Sequence, residues 1–150
     1  EVLYLSCVQS RSGFQSNMNV GGRIPAYATP MGWLLLSDLS NRELAALFEQ
    51  QEFEPLTDQT PHDLGALSQC IARAANAGHV VSRGIVEAGG SSVSAPVFDK
   101  SGRVVAAIDI SGPDSAFDMD HPQDRCIREV VHAAARISAR LGYSAVSTGG

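Results

Sequence analysis

The chain has 150 residues, a formal net charge of −5 and 18% charged side chains. This length fits one domain. The negative charge argues against direct binding of this chain to nucleic acid, because contacts with a phosphate backbone require a basic face. No apolar run of the sequence reaches the roughly 18 residues that a membrane-spanning helix needs.

The cysteines indicate the compartment. Cys7, Cys70 and Cys126 lie far apart and show no metal-binding spacing with histidine. We interpret them as reduced thiols, which predicts a cytoplasmic protein. We also expect neither a cofactor nor a bound metal. The chain opens directly on a β-rich segment without an initiator Met, so we expect a domain of a longer protein.

The N-terminal segment is predicted to form a pair of strands. Val2–Val8 is rich in residues that favour strands, and Gly13–Val20 is its expected partner. The segment GGRIPAY follows as a loop, because its proline keeps the preceding Ile24 extended.

Capping signals predict three helices in the middle of the chain. Thr29 and Pro30 have the residue types of an N-cap and a first helical position. Ser40 begins a second helix with the capping-box pattern S-N-R-E. A second Thr-Pro pair precedes a third helix, predicted from His62 to Ala77 and ended by Gly78.

The C-terminal half is predicted to contain a hairpin and a long helix. A short strand at His79–Ser82 and a loop precede two strands, Ser91–Phe98 and Arg103–Ser111, joined by the turn DKSG. A helix then begins near His121, and residues 144–150 form a disordered tail. One face of this helix carries an apolar stripe: Ile127, Val130, Val131, Ala134, Ile137 and Leu141. The mixture of helices and antiparallel strands indicates an α+β fold.

The two faces of the predicted hairpin differ in character. Side chains alternate along a strand, so pairing Phe98 with Arg103 gives one wholly apolar face that belongs to a core. The other face is small and increasingly polar, with Ser92 opposite Asp109 and Gly90 opposite Ser111. Such a face indicates a small-molecule pocket, and the alternative is a face simply exposed to solvent.

An ordered set of motifs resembles a known family. The stretches GGRIPAYATPMGWLLL, AGHVVSRG, SAPVFDKSGRVVAAIDISGP and AARISARLG, with a threonine at Thr57 or Thr60 between the first two, are similar to the effector-binding domain of IclR-type transcriptional regulators. The match runs from about Val2 to Tyr143. The resemblance implies a GAF-like curved antiparallel β-sheet with helices packed on one face and a loop-covered ligand pocket on the other.

The resemblance also implies a function. It predicts a preceding winged helix-turn-helix DNA-binding domain outside this chain, assembly as a homodimer or homotetramer, and no enzymatic activity or membrane contact. The expected role is to bind a small organic effector in the control of the catabolism of aromatic or other small organic acids. The effector-binding residues that the family pattern implies are Ile24, Pro30, Met31, Ser82, Gly90, Ser92, Asp109 and Ser111.

Two departures from the family pattern concern the effector. Family members often carry an acidic residue at the position of Ser82 and a glutamate at that of Ile85, whereas Asp109 occupies a position where small neutral residues are common. A carboxylate there disfavours a simple carboxylate effector, so we predict that Asp109 accepts hydrogen bonds from a hydroxyl or an amine. Two other functions stay open: a thiol-dependent GAF-type enzyme and a ligand-free dimerisation module.

Overall fold

The structure, a computed structural model, describes residues 1–9, 19–117 and 125–144. Within these ranges no helix is long and apolar enough to cross a bilayer. The chain order is β1 (Val2–Leu3), β2 (Arg23–Ile24), a 3-10 turn (Ala26–Ala28), α1 (Pro30–Leu35), α2 (Asn41–Phe48), α3 (Leu64–Ala77), β3 (Val80–Arg83), β4 (Gly90–Phe98), β5 (Val104–Pro113), a second 3-10 turn (Asp114–Ala116) and α4 (Arg125–Arg140).

The first strand is shorter than predicted and has a different partner. Val2 and Leu3 pair antiparallel with Ile24 and Arg23 rather than with 13–20, of which 13–18 lies outside the described residues. Gly21, with a φ of 85°, donates its backbone N–H to the Tyr4 carbonyl, and this turn leads the chain into β2. The pairing therefore ends early, and Leu5 beyond it is 75% exposed.

The helix starts are partly as predicted. Both hydrogen bonds of the capping box between Ser40 and Glu43 are present, and α1 begins at Pro30. The third helix, however, begins at Leu64, because Asp63 accepts the capping hydrogen bond from the Ala66 N–H. The predicted start at His62, after Thr60 and Pro61, was wrong, since Thr60 is 2% exposed and its hydroxyl donates to the Ile85 carbonyl instead.

The strands β3, β4 and β5 form one antiparallel sheet in that order. The predicted hairpin turn DKSG is present, but the predicted register was wrong by two residues: Ser94, not Ser92, lies opposite Asp109. One residue of the shift arises at the turn, because Phe98 pairs with Val104 rather than Arg103. The second arises from a β-bulge, because Val97 then pairs with Ala106. Beyond the bulge the shift is two residues, so the side chains from Ala106 to Ser111 stay on their predicted faces.

Helix α4 covers the apolar face of the sheet. Val93, Ala95 and Val97 are at most 1% exposed and pack against Val130 and Ala134. The predicted stripe was only partly correct, because Val131, Ile137 and Leu141 are 38%, 41% and 47% exposed.

A serine takes part in this core in place of an apolar residue. Ser138 is 1% exposed, donates its hydroxyl to the Ala134 carbonyl and accepts the Phe98 N–H at 2.9 Å. The bulge gives the Phe98 N–H this partner, so a polar side chain is satisfied at a buried position. The predicted start of α4 near His121 and the tail 145–150 lie outside the described residues.

The opposite face of the sheet is covered only in part. Ala107 of β5 packs against a second core, built by α1, α3 and the first 3-10 turn around Trp33, Leu34 and Leu67. Towards the Gly90 end of β4, small polar side chains replace these contacts. Helix α1 therefore borders a cavity on this face of the sheet, while α4 covers the other face.

Candidate ligand-binding site

A cavity of about 350 Å³ lies on the partly covered face of the sheet. This volume is at the lower end of the range for small-molecule sites. Its wall combines residues of β1, α1, the sheet and the loop 84–89: Tyr4, Thr29, Pro30, Met31, Ser82, Ile85, Val86, Glu87, Gly90, Ser91, Ser92, Asp109, Ser111 and Gly112.

Asp109 is the central charged group of the wall. Its Oδ1 accepts a hydrogen bond of 2.5 Å from Ser94, which lies directly opposite on β4 and is fully buried. Burial raises the pKa of Asp109, and hydrogen bonds from Ser94, Ser92 and Ser111 oppose that rise. The sheet packs around one side of the carboxyl. The residue is nevertheless exposed, because its other side faces the cavity.

Hydroxyl groups surround Asp109 on neighbouring strands. The hydroxyl oxygens of Ser82 and Ser92 are 3.0 Å apart, and either can donate to the other. Ser111 pairs with Ser92 in the hairpin register, so the hydroxyls form a row across the three strands. At the edge of the cavity Ser91 donates to Asp114, whose carboxylate lies 3.8 Å from the Arg83 guanidinium. The row offers donors and acceptors that can reorient towards a ligand.

Tyr4 adds a phenol to the wall from β1's end. Burial, the charge of Asp109 and that of Cys7 together raise the pKa of Tyr4 to about 12. The phenol is therefore neutral at physiological pH, and its hydroxyl is available as a hydrogen-bond donor.

Two threonines hold the loop 84–89 over the cavity. Thr57 donates its hydroxyl to the Gly84 carbonyl at 2.5 Å, and Thr60 donates to the Ile85 carbonyl at 2.7 Å. Thr60 also accepts the Thr57 N–H at 3.0 Å, so the two residues form one unit. The sequence singled out a threonine at one of these positions, and the structure uses both.

The start of α1 is fixed by a close backbone approach. A Cβ added to Gly32 would lie 2.0 Å from the Ala26 carbonyl oxygen, so only glycine fits there. Trp33 strengthens the same contact by donating its indole N–H to the Tyr27 carbonyl at 2.8 Å. These contacts place Pro30 and Met31 at the cavity wall.

Seven of the eight predicted site residues line this one cavity. The exception is Ile24, which is 4% exposed and packs with Val2 and Met31 in a small core beside the wall, because β2 turns its side chain inward.

Seven wall residues were not among the predicted ones: Tyr4, Thr29, Ile85, Val86, Glu87, Ser91 and Gly112. The sequence placed Tyr4 on a strand but did not predict which way its side chain points. It placed Val86 and Glu87 in a loop but did not predict where that loop lies. Strand alternation gives no orientation to loop residues, so only the threonine contacts indicate where this loop lies. Phe14, a further candidate, lies outside the described residues.

None of the cysteines contributes to the cavity wall. Cys7, Cys70 and Cys126, all within the described ranges, form no disulfide bond. Burial raises the pKa of Cys70, which makes its thiolate scarcer rather than more reactive.

The family follows from comparison with known proteins. The model of the C-terminal domain of the bacterial transcriptional regulator IclR matches residues 1–139. The chain belongs to the IclR family. It is 35% identical over 95 residues (63% of the chain, 33% of the relative) to the Pca regulon regulatory protein of Pseudomonas putida, and 29% identical over 143 residues (95% and 54%) to the transcriptional regulator KdgR of Escherichia coli K12. The chain thus spans between one third and just over half of these relatives.

Solved structures of the same family share the fold. The repressor BlcR of Agobacterium tumefaciens superposes with a TM-score of 0.81 at 31% identity, covering 95% of this chain and 56% of that one. An IclR homolog of Microbacterium hydrocarbonoxydans, solved in complex with 4-hydroxybenzoate, gives 0.74 at 22% identity, covering 89% and 53%. The α+β, GAF-like fold predicted from the sequence is confirmed by these neighbours.

Proposed function

We propose that this domain binds a small organic effector in the cavity bordered by β4, β5, α1 and the loop 84–89. The observation that carries the proposal is the convergence of seven sequence-predicted residues on one wall. The wall joins apolar surface from Pro30, Met31 and Val86 to a few placed polar groups, which is the usual composition of a small-molecule site.

The effector would act by linkage. A ligand that prefers one arrangement of the subunits shifts that equilibrium by its difference in affinity, and DNA binding follows. In this proposal a winged helix-turn-helix domain elsewhere in a longer, cytoplasmic regulator contacts the DNA. The net charge of −5 supports this division, because this domain lacks the basic excess that phosphate contacts require.

Control of acid catabolism is the pathway role that the sequence resemblance favours. A family neighbour was solved in complex with 4-hydroxybenzoate, which is an aromatic acid. At 22% identity this neighbour shares the fold with the chain, and its ligand is not transferred to the cavity of this domain. The acidic wall of this cavity supports the effector-binding role without favouring an acid as the effector. Identification of the effector therefore tests the proposed role in acid catabolism.

Self-association through α4 is part of the proposal. Val131 and Ile137 are apolar and 38% and 41% exposed, and they lie at the two edges of the α4 face that buries Val130, Ala134 and Ser138. Burial of these exposed side chains against a second copy would stabilise a dimer. Sedimentation equilibrium of the wild type and of Ile137→Lys tests this. A lower association constant for the variant supports self-association through α4, and an unchanged one overturns it.

The two competing functions have less support. A thiol-dependent enzyme needs a cysteine at the cavity with a lowered pKa, whereas the pKa of Cys70 is raised and no cysteine lies on the wall. A dimerisation module without a ligand needs no hydroxyl row around a carboxylate.

Thermal melting against a ligand panel tests the proposed function. The panel holds hydroxylated aromatic acids, short keto and hydroxy acids, and amines. A ligand at about 100 times its Kd stabilises the domain by roughly 2.7 kcal/mol, which raises Tm by several degrees. A selective shift that Asp109→Ala abolishes supports an effector site. A flat response to every class, with wild type and Asp109→Ala alike, overturns it in favour of the dimerisation module.

A further inference from the structure

The ionisable side chains of the cavity wall are all acids. Among the described residues these are Tyr4, Glu87 and Asp109, and the wall contains no lysine, arginine or histidine. Tyr4 is neutral at physiological pH, so the ionised wall groups are two carboxyls without a cation beside them. A ligand that enters this cavity meets a negative potential.

The nearest arginines are directed elsewhere. Arg83 lies on the opposite side of β3 from Ser82, 3.8 Å from Asp114, with its side chain 55% exposed. Arg23 of β2 lies 3.5 Å from Glu1, with its side chain 57% exposed. Neither therefore offers the cavity a charge that would hold a carboxylate ligand.

We propose that the ligand of this cavity is a small organic ammonium cation, a protonated amine whose nitrogen binds at Asp109 and whose apolar part packs on Met31 and Val86. This inference rests on the proposed effector-binding function and specifies the class of effector. It narrows the predicted partner of Asp109, a hydroxyl or an amine, to a protonated amine.

The geometry around Asp109 suits an ammonium group. Ser94 engages Oδ1 from the core side, and a carboxylate has about four acceptor positions, so some remain towards the cavity. An ammonium group has three donors and no acceptor. One donor can bind Asp109 while the others bind the hydroxyl oxygens of Ser92 and Ser111, which rotate to accept. Charge-assisted hydrogen bonds of this kind are about twice as strong as neutral ones.

The remainder of the wall suits an apolar body. Pro30 and Met31 from α1 and Ile85 and Val86 from the loop lie around the same cavity as the carboxyls. The Met31 thioether adapts to irregular shapes, so it does not restrict the ligand to one outline. A volume of about 350 Å³ limits the ligand to a small molecule.

Three ligands of the same shape separate the charge from the size of the effector. Benzylamine, benzyl alcohol and benzoate are compared by calorimetric titration of the 150-residue chain, with butylamine, butanol and butyrate as a smaller series. We expect the amine to bind most tightly in each series. An acid or alcohol that binds more tightly than its amine overturns the cation inference and leaves the effector-binding function standing. If no ligand of either series binds, the cation inference is wrong. The effector-binding function is also wrong only if no ligand of the full melting panel binds.

Conservative variants assign the effect to the wall. Asp109→Asn keeps the shape and should weaken amine binding by about tenfold or more, because it removes a charged hydrogen-bond acceptor. The same variant should strengthen benzoate binding. Glu87→Gln, on the exposed loop, tests the second carboxyl without risk to the core and should weaken amine binding less. Glu49→Gln, at the C-cap of α2 and outside the cavity wall, is the matched control. Equal loss in all three variants contradicts the inference.

The pH dependence gives a readout independent of folding. An alkylamine stays protonated as the pH falls from about 8, so its affinity should fall once the Asp109 carboxyl takes up a proton. Glu87 is the other wall carboxyl facing this site, and its removal by Glu87→Gln isolates the Asp109 contribution. Tyr4 stays neutral throughout. Amine affinity that rises on acidification, in wild type and Glu87→Gln alike, contradicts the proposal.

Discussion

Ser94 and Asp109 lie directly opposite each other on β4 and β5, and the serine hydroxyl donates to the carboxylate at 2.5 Å. Ser94 is fully buried, so its hydroxyl depends on this partner. The pair joins the interior of the sheet to the wall of the cavity.

Removal of the Ser94 hydroxyl should destabilise the domain and disturb Asp109. We expect Ser94→Ala to lower the free energy of unfolding by about 1–3 kcal/mol, because the Asp109 carboxyl loses a hydrogen-bond donor from the interior of the sheet. Urea denaturation of Ser94→Ala, Asp109→Asn and the double variant measures the coupling, expected at about 0.5–3 kcal/mol. Additive effects of the two substitutions would show that the residues do not interact.

The stability contributed by Asp109 should increase as the pH falls. Burial raises the pKa of Asp109 in the folded state above its ordinary value. As the pH falls through the folded pKa towards the unfolded value of about 3.9, the native state binds a proton before the unfolded chain does. The free energy of unfolding of wild type minus that of Asp109→Asn should therefore rise on acidification and level off below that range. A difference that falls on acidification would mean that the native site favours the ionised carboxylate.

The threonine pair should control ligand binding through the loop. Thr60→Val keeps the shape and removes the hydrogen bond to the Ile85 carbonyl and the acceptor for Thr57. We expect a loss of about 1–3 kcal/mol in stability together with weaker binding of any panel ligand. Ser40→Ala, which removes the α2 cap for about 1 kcal/mol, is the control for a general loss of stability. Equal ligand affinity in the two variants would show that the loop position does not matter.

Gly32 should be intolerant of any side chain. Gly32→Ala would bring a Cβ to 2.0 Å from the Ala26 carbonyl oxygen, so α1 must move away from the preceding turn. We expect a loss well above the typical 0.5–3 kcal/mol of a point substitution. Gly65→Ala in α3 is the matched control. Its Cβ meets only the Asp63 side chain at 3.2 Å, and its effect should stay within about 1 kcal/mol. Similar melting temperatures for the two variants would contradict the close approach.

The sequence was most informative where strand alternation or a helix-capping pattern determines the structure. Strand alternation assigned Ser92, Asp109 and Ser111 to the cavity face, and it did so although the predicted register was wrong. The error was harmless because a shift of two residues preserves the faces. The capping box at Ser40 was equally local, so it was predicted correctly.

The sequence was least informative where distant segments meet. The Phe98 N–H beside the bulge donates to Ser138, which is 40 residues away along the chain. Thr60 resembles a helix cap in sequence, but its hydroxyl binds the loop carbonyl of Ile85 instead. Ile24 follows the family pattern for a wall residue, yet its pairing with Val2 turns it into the core. These outcomes are decided by tertiary contacts that no local pattern encodes.

The most direct test of the central claim is a nuclear magnetic resonance titration of the isotope-labelled chain with the panel ligand that raises Tm most. If the cavity is the effector site, saturable shifts of backbone amides should appear at Ser92, Asp109 and Ser111 and in the loop 84–89, while α2 stays unchanged. Shifts confined to α2 or to the outer face of α4, or no saturable shift with any panel ligand, would contradict the account.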